Sequence, residues 1–355
     1  MKHWNDTIEG IFDAAGLDYK FIVTDGPGSA TVIAQDLDLD EFGTIVVVGG
    51  DGTLHEVIQG LFHRPDWRVA RKVALAAIPT GSGNGFAAST GAWDVDTGAW
   101  VVLKNFSSPL DLVSIVQPSE AGEDEEASDS SWRRRFMFLS TTFGFMANLD
   151  LSTEHLRWMG SLRFVYGAIY EILRGGHTRA RVAFVPRTKK RQVDWNTNGD
   201  ADGDGEDSGS ENSKGISCPL LDQIKQKDSK DLFAELPSPW KLVDFKDFQF
   251  FISSNVPSIS LDDTVAPTVS VSSGTMALIM SQTNSRLDNF NIMLAIQNGH
   301  TNELLKLTYQ EVVAFIIEPC CEDFQISLDG ERFPNGRIFA ELHRGLARCL
   351  CSPYL

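Results

Sequence analysis

Cysteine is scarce and odd in number: five occur in 355 residues, with no Cys-x-x-Cys pair. That excludes a disulfide framework and the common thiol-based zinc and redox motifs, and it fits a reducing, cytoplasmic compartment. Uncharged apolar runs are short. None reaches the roughly 18–20 residues that a membrane-spanning helix needs. The opening Met1-Lys2-His3-Trp4-Asn5-Asp6 lacks the apolar segment of a signal peptide. Any membrane contact is therefore expected to be peripheral. Bases are also in deficit, 31 against 48 acids, for a net charge of -17. Such a chain is a poor candidate for non-specific nucleic-acid binding. The excess is local, however. Six acids and no base lie between Ser119 and Ser131, seven acids and no base between Gln192 and Ser213, and the remainder carries only -4. With 42% apolar and 22% charged residues the chain is globular. At roughly 150 residues per domain, its length suggests two domains.

Strand and helix signals alternate through the first hundred residues. Tyr19 to Thr24 reads as a short strand. Thr44-Ile45-Val46-Val47-Val48 and Val73 to Ile78 are continuous apolar runs, as expected of strands buried on both faces. Between them Leu54, Val57, Ile58, Leu61 and Phe62 fall on one helical face. This rhythm predicts a parallel sheet with helices on its faces over residues 1–104. From 105 to 350 the texture changes. Short alternating runs predict an antiparallel β-sandwich: Leu112–Val116, Phe136–Ser140, Arg179–Val185, Phe248–Ile252, Thr275–Met280, Val312–Ile317, Phe324–Leu328 and Ile338–Leu342. A helical region is expected from Thr153 to Arg174. The polar stretches 119–131 and 187–238 read as solvated, disordered insertions, since they cannot bury enough apolar surface to offset their ordering entropy.

Two glycine loops follow the two buried strands. In Gly49-Gly50-Asp51-Gly52-Thr53 the backbone N–H groups and the helix N-terminus favour an anion. A carboxylate among them, Asp51, repels phosphate. It is therefore a helix cap, a magnesium ligand, or the base that takes a proton from a nucleophile. Pro79-Thr80-Gly81-Ser82-Gly83-Asn84-Gly85 is the second loop. In a parallel sheet both emerge at the carboxyl ends of their strands, where ligands bind. Two convergent phosphate loops imply a nucleotide site. Gly-Lys-Ser/Thr is absent, so neither loop is a Walker A motif.

These loops, with Leu54-His55-Glu56-Val57, resemble the diacylglycerol-kinase catalytic superfamily. Within it the chain is most similar to the sphingosine (sphingoid long-chain base) kinases. The narrower resemblance rests on Thr142-Phe143-Gly144-Phe145-Met146-Ala147-Asn148-Leu149-Asp150-Leu151-Ser152-Thr153-Glu154, on Arg157, Gly160 and Arg163-Phe164, and on Asp329-Gly330-Glu331. It spans about Phe21 to Leu350, outside the two acidic insertions.

The resemblance implies an ATP- and Mg²⁺-dependent lipid kinase with its active site in a cleft between the α/β domain and the β-sandwich. It implies that Asp51 is the catalytic base. Gly49, Gly50, Gly52, Thr53, Gly81, Ser82, Gly83, Asn84 and Thr24 would contact ATP. Arg157 and Arg163 would meet its phosphates, and Asp329 and Glu331 would form an acidic pair on the nucleotide or metal side. Asp150, with Glu154, would hold the amino-alcohol head of the lipid. Other readings of the same residues stand beside these. Glu154 and Arg157 are spaced as a helical ion pair, Asp150 could cap a helix, and Asp329-Gly330 could be a hairpin turn.

The implied partners are a sphingoid-base lipid and a peripheral membrane surface, without nucleic acid. The serine- and aspartate-rich insertion is a candidate for regulatory kinases or partners. One feature departs from the family. Its members carry an earlier strand ending in an Asn-Pro-x-Gly-Gly loop, which has no counterpart in these residues. An upstream strand is the expectation. The alternatives are a diacylglycerol or ceramide kinase of the same fold, or a catalytically impaired lipid-binding relative.

Overall fold

The computed structural model describes residues 3–81, 83–118, 132–152, 178–187, 216–225, 231–282, 285–322 and 324–354. The strands, in chain order, begin with β1 (Thr44–Gly49), β2 (Ala74–Pro79), β3 (Ser107–Pro118), β4 (Trp132–Met137), β5 (Ser140–Gly144), β6 (Thr178–Pro186) and β7 (Lys241–Leu242). They continue with β8 (Asp247–Phe248), β9 (Phe250–Ser254), β10 (Met276–Ser281), β11 (Thr308–Pro319), β12 (Ile326–Leu328), β13 (Glu331–Phe333) and β14 (Ile338–Leu350). The helices are α1 (Glu9–Ala14), α2 (Ser29–Asp36), α3 (Asp51–Phe62), α4 (Trp67–Ala70), α5 (Gly85–Ser89), α6 (Val95–Lys104), α7 (Phe145–Ser152), α8 (Pro219–Lys225) and α9 (Arg286–Gln297).

The β-branched run of β1 lies parallel to β2, in register from Thr44 opposite Ala74 to Gly49 opposite Pro79. The same register brings the two glycine loops out side by side. An α/β unit is thereby joined to an antiparallel β unit, and the join is a continuous sheet. β14 pairs parallel with β2 at Arg348 and Cys349 and antiparallel with β3 and β11 along the rest of its length. From there the strand order runs β11-β10-β9-β5-β12-β13. The largest apolar cluster crosses the join as well. It packs Leu54, Ile58 and Leu61 of α3 against Phe136, Phe138 and Leu346.

Three sequence expectations are corrected. Tyr19 to Thr24 forms no strand. Phe21, Ile22 and Val23 are exposed. β1 pairs only with β2 among the described residues. A β-branched run with no neighbour to take its backbone hydrogen bonds does not become a strand. The run Phe136–Ser140 is not one strand either. β4 ends at Met137 and β5 begins at Ser140, because the N–H groups of Phe138, Leu139 and Ser140 turn to a buried carboxylate. Finally, part of the expected disordered insertion is folded. Ile216, Cys218, Leu221, Ile224, Leu232 and Phe233 are all buried. Glu341 of β14 accepts the N–H groups of Leu220 and Leu221 and so anchors the start of α8. A few apolar residues at helical spacing were masked by the polar average around them. Residues 119–131, 153–177 and 188–215 lie outside the described residues, and with them the expected helix from Thr153. Among the helices not read in the sequence is α9, capped by Ser285, whose hydroxyl accepts from the Asp288 N–H.

Two deletions and a point substitution test this division. Removing 188–215 should leave stability near wild type. Leu221→Ala should cost about 2–5 kcal/mol, the range for truncating a fully buried leucine. Extending the deletion through Ile224 should cost more again. Urea unfolding of the three proteins decides.

Candidate functional site

The site is organised by one helix. α3 begins directly after the first glycine loop, and its polar residues at positions 51, 55, 56 and 59 each reach a different element. Asp51, its first residue, is 8% exposed. Its carboxylate accepts the N–H groups of Gly85 (2.8 Å) and Phe86 (3.1 Å), the first two residues of α5. His55 Nδ1 lies 2.8 Å from Asp329 Oδ2. The Glu56 carboxylate accepts from Gly28 and Ala30 at the start of α2. The Gln59 side-chain amide pairs with both backbone groups of Phe136 in β4. Asp51, His55 and Gln59 follow i, i+4, i+8 spacing and form one stripe, from which Asp51 reaches α5 while His55 and Gln59 reach the β unit.

Burial pushes the Asp51 carboxyl up to about 6. The N–H groups of Gly85 and Phe86 oppose that rise, and the nearby charge of Asp329 adds to it. Asp51 is therefore both a cap for α5 and a carboxylate poised to exchange a proton near neutral pH.

The glycine loops touch backbone to backbone. A Cβ on Gly81 would stand 2.6 Å from the Gly50 Cα and 2.9 Å from its N, and one on Gly50 would stand 3.1 Å from the Gly83 O. The Asn84 side chain holds the second loop from within, donating to the Gly81 carbonyl (2.7 Å) and accepting from the Gly81 N–H (3.3 Å).

Asp329 and Gly330 join β12 to β13 with Leu328 paired to Glu331. Both have positive φ, 52° and 85°, the signature of a type I′ hairpin. The Asp329 side chain faces inward and is shut off from water. Its oxygens accept from Leu139 (2.9 Å), Ser140 (3.0 Å), Phe138 (3.3 Å) and His55. It is a clamp more than a free ligand. The same turn brings Glu331 over the start of α3, where its Oε1 would lie 2.8 Å from a Cβ placed on Gly52.

A cavity of about 380 Å³ opens between these parts. Its polar wall is Gly50 to Thr53, Gly81, Gly83 and Asp329 to Glu331. Its apolar wall is Leu139, Met146, Leu149, Ile252, Ile259, Met293 and Ile296. Ser140, Thr142, Ser260 and Asp263 also line it.

The structure thus brings together Asp51, Gly50, Gly52, Thr53, Gly81, Gly83, Asp329 and Glu331, with Gly49 in the strand end behind them and Asn84 bracing the second loop. Thr24 is exposed and is not part of the lining. Asp150 falls in α7, whose Met146 and Leu149 line the cavity; its side chain, with Ser82, Glu154, Arg157 and Arg163, lies outside the described residues. Among the described residues no group of three or more His, Cys, Asp or Glu is set to hold a metal ion. Sequence reading assigned nothing to His55 and Gln59, although their spacing from Asp51 carried the signal. It also passed over Ser260 and Asp263, which no motif marks.

Comparison with known proteins agrees with this geometry. Residues 1–115 match the sequence profile of the diacylglycerol kinase catalytic domain. Sphingosine kinase 1 of Homo sapiens is 26% identical over 97% of this chain and 85% of its own length. Sphingoid long chain base kinase 5 of Saccharomyces cerevisiae is also 26% identical, over 93% of this chain. The chain spans about half of that yeast protein, 54%. The fold matches a crystal structure of a diacylglycerol kinase from Bacillus anthracis (strain Sterne), with a TM-score of 0.59 at 15% identity, covering 97% of this chain and 89% of that one. The first 115 residues are thus similar to that catalytic domain, and nearly the whole chain is similar to sphingosine kinases.

The loop contact yields a paired test. Gly81→Ala forces the two loops apart, since neither backbone can yield cheaply, and should weaken binding of a fluorescent ATP analogue at least tenfold. At Gly83 a Cβ meets only Asp51 Oδ2, at an ordinary 3.7 Å, so Gly83→Ala should bind the analogue distinctly better than Gly81→Ala.

Proposed function

We propose that the protein transfers the γ-phosphoryl group of ATP to the primary hydroxyl of a sphingoid long-chain base. The observation that carries this reading is the placement of Asp51. A buried carboxylate, held by two backbone N–H groups, stands where a phosphate-type loop pair gives way to an apolar cavity. A nucleotide fits the first part and an alkyl chain the second.

In this mechanism the loops and the N-terminus of α3 hold the phosphates. Asp51 accepts the lipid hydroxyl proton as the oxygen attacks the γ-phosphorus. A P–O bond forms to the lipid, the bond to ADP breaks, and the proton stays on Asp51. Because the carboxylate is anchored by Gly85 and Phe86, it cannot swing away from the nucleophile. Arg157 and Arg163 are proposed to neutralise the phosphates. Glu331 would help to hold Mg²⁺, which usually takes one or two carboxylates plus phosphate oxygens; when bound, the ion would neutralise charge on the transferred group. Asp150, with Glu154, is proposed to pair with the ammonium group of the base. The working domain division is 1–104 for nucleotide and 105–350 for lipid. Among the described residues no helix is long and apolar enough to cross a membrane. A cytoplasmic protein that meets its lipid peripherally at a membrane surface is the reading we adopt.

Assaying ATP-dependent phosphorylation of sphinganine, ceramide and diacylglycerol tests the reading. Turnover of ceramide or diacylglycerol in preference to sphinganine would replace it. Asp51→Asn should lower turnover by about 10²–10⁴-fold. For the wild type, kcat/KM at saturating MgATP should rise with pH to a plateau above about 6, because the raised carboxyl must be ionised to accept a proton. The stability effect has the opposite sign. The folded state binds the extra proton, so stability falls as pH rises from about 4 to 6. The variant is relieved of that cost but can accept from only one of the Gly85 and Phe86 N–H groups, so thermal melts at pH 7.5 separate its loss of turnover from any loss of fold. Near-wild-type turnover of Asp51→Asn would reduce Asp51 to a cap. Asp150→Asn should raise KM for sphinganine about tenfold or more while barely changing ATP affinity, since it leaves a desolvated ammonium unpaired.

A further inference from the structure

The cavity wall supplied by α9 also has an outer side. Met293 and Ile296 line the cavity, and Asn289, Ile292 and Ala295 are buried. Leu287, Phe290 and Leu294 fall at i, i+3 and i+7, on one helical face. That face is open to solvent. Leu287 is 67% exposed and Phe290 53%. A helix packed on one side ordinarily turns polar residues to water, and here the outward stripe is apolar.

A second element adds to the stripe. Leu304, after α9, packs against the cluster that holds Ile292 and Ile296, and Lys306 Nζ lies 2.8 Å from Asp288 Oδ1 in the first turn of the helix. Both neighbours of Leu305 are thus tied to α9 or its surroundings, while Leu305 itself is fully exposed. Single exposed leucines are ordinary. Four apolar side chains gathered from two elements form a patch, and such patches mark contacts with proteins or membranes. The ion pair also settles the local charge. Asp288 is the only acid in α9, and Lys306 offsets it. Glu303, in the turn beyond the helix, stands 3.4 Å from His300. In a chain of net charge -17, this stripe is a place where acids do not oppose contact with lipid.

A fluid bilayer suits these features better than a protein partner does. Side chains that stand out from a helix and a loop enter acyl chains without needing a complementary groove. Together they present at most a few hundred Å², short of the roughly 800 Å² per partner of a stable protein interface. The patch also lies on the back of the helix whose front lines the cavity, one helix diameter of about 10 Å away. We propose that Leu287, Phe290, Leu294 and Leu305 dock the protein on a lipid bilayer, with α9 as the wall between the bilayer and the cavity. The inference rests on the reading above that the substrate is a membrane lipid, and it deepens that reading by naming the surface through which the protein meets it.

Sedimentation with phosphatidylcholine vesicles, in the absence of ATP and of any sphingoid base, tests the docking by itself. The wild type should bind. Leu287→Gln, Phe290→Gln and Leu305→Gln should each weaken binding about fivefold, and the triple variant at least fiftyfold, as expected when partly inserted apolar side chains are withdrawn. Val32→Gln, at an exposed position on α2, should bind like the wild type. Thermal melts check the fold, and the single variants decide should the triple one melt early. In turnover, the triple variant should lose about tenfold or more in kcat/KM for sphinganine embedded in vesicles, while keeping wild-type turnover of a water-soluble, short-chain sphingoid base. A wild type that does not bind vesicles, or variants that bind as the wild type does, overturns the inference. Variants that bind vesicles normally but turn a wild-type dimer into a monomer overturn it too, and assign the face to a second copy of the chain. If no sphingoid base is phosphorylated in either form, the kinase reading falls, and vesicle sedimentation still decides the docking.

Discussion

The carboxylate of Asp329 is out of contact with water and takes four hydrogen bonds, three from successive backbone N–H groups and one from His55. An acid in that position is costly to bury unless its acceptors are occupied. Occupying them fixes three elements at once. The chain between β4 and β5 must bend so that Phe138, Leu139 and Ser140 present their N–H groups. The hairpin from β12 to β13 must hold its Asp at positive φ. The helix α3 must keep His55 turned toward the β unit. Remove the carboxylate and the three N–H donors lose their partners inside the protein, each at a cost of about 1–3 kcal/mol. The β unit is thereby registered against the α/β unit within hydrogen-bond tolerance, and the cavity between them is a consequence.

α3 carries that registration to Asp51. His55 stands one helical turn from Asp51 on the same stripe, so the clamp and the proposed base cannot move independently. Asp51 in turn caps α5. The arrangement explains why a carboxylate is tolerated beside loops built for phosphate. Two N–H groups and the end of a helix offset most of the repulsion, while burial leaves the group basic enough to take a proton near neutral pH. A fully solvated aspartate would be a weak base, and one buried without donors would stay protonated.

Much of this was legible in the sequence. The β-branched runs and the glycine loops after them gave the parallel pair β1 and β2 and the polar half of the cavity, because local backbone needs leave direct marks on composition. The Asp329-Gly330 pair was legible as a turn. That its side chain points inward was not, since burial depends on residues 190 positions away. Averages over a window hid the buried positions of α8. The strand expected at Tyr19 to Thr24 failed for the complementary reason, that propensity for a strand is only half of a strand. His55 shows the remaining gap. A lone histidine on a helix is ordinary, and only the partner hairpin makes it a link between the two units.

The apolar cluster that joins α3 to Phe136, Phe138 and Leu346 constrains how a lipid could enter. Opening the cleft as a hinge would separate these side chains and expose them to water. At about 25 cal/mol per Å², a few fully buried leucine and phenylalanine side chains already amount to several kcal/mol. The sheet that runs from β2 into β14 would have to break as well. Movement confined to the far wall meets no such barrier. Met146 and Leu149 on α7 and Met293 and Ile296 on α9 line the cavity, and α9 presents Leu287, Phe290 and Leu294 to the outside. A helix apolar on both faces loses little when its inner face exchanges protein contacts for those of an alkyl chain. On the proposed reading the polar wall can therefore stay fixed, with Asp51 in place for the lipid hydroxyl, while the apolar wall adapts to the alkyl chain.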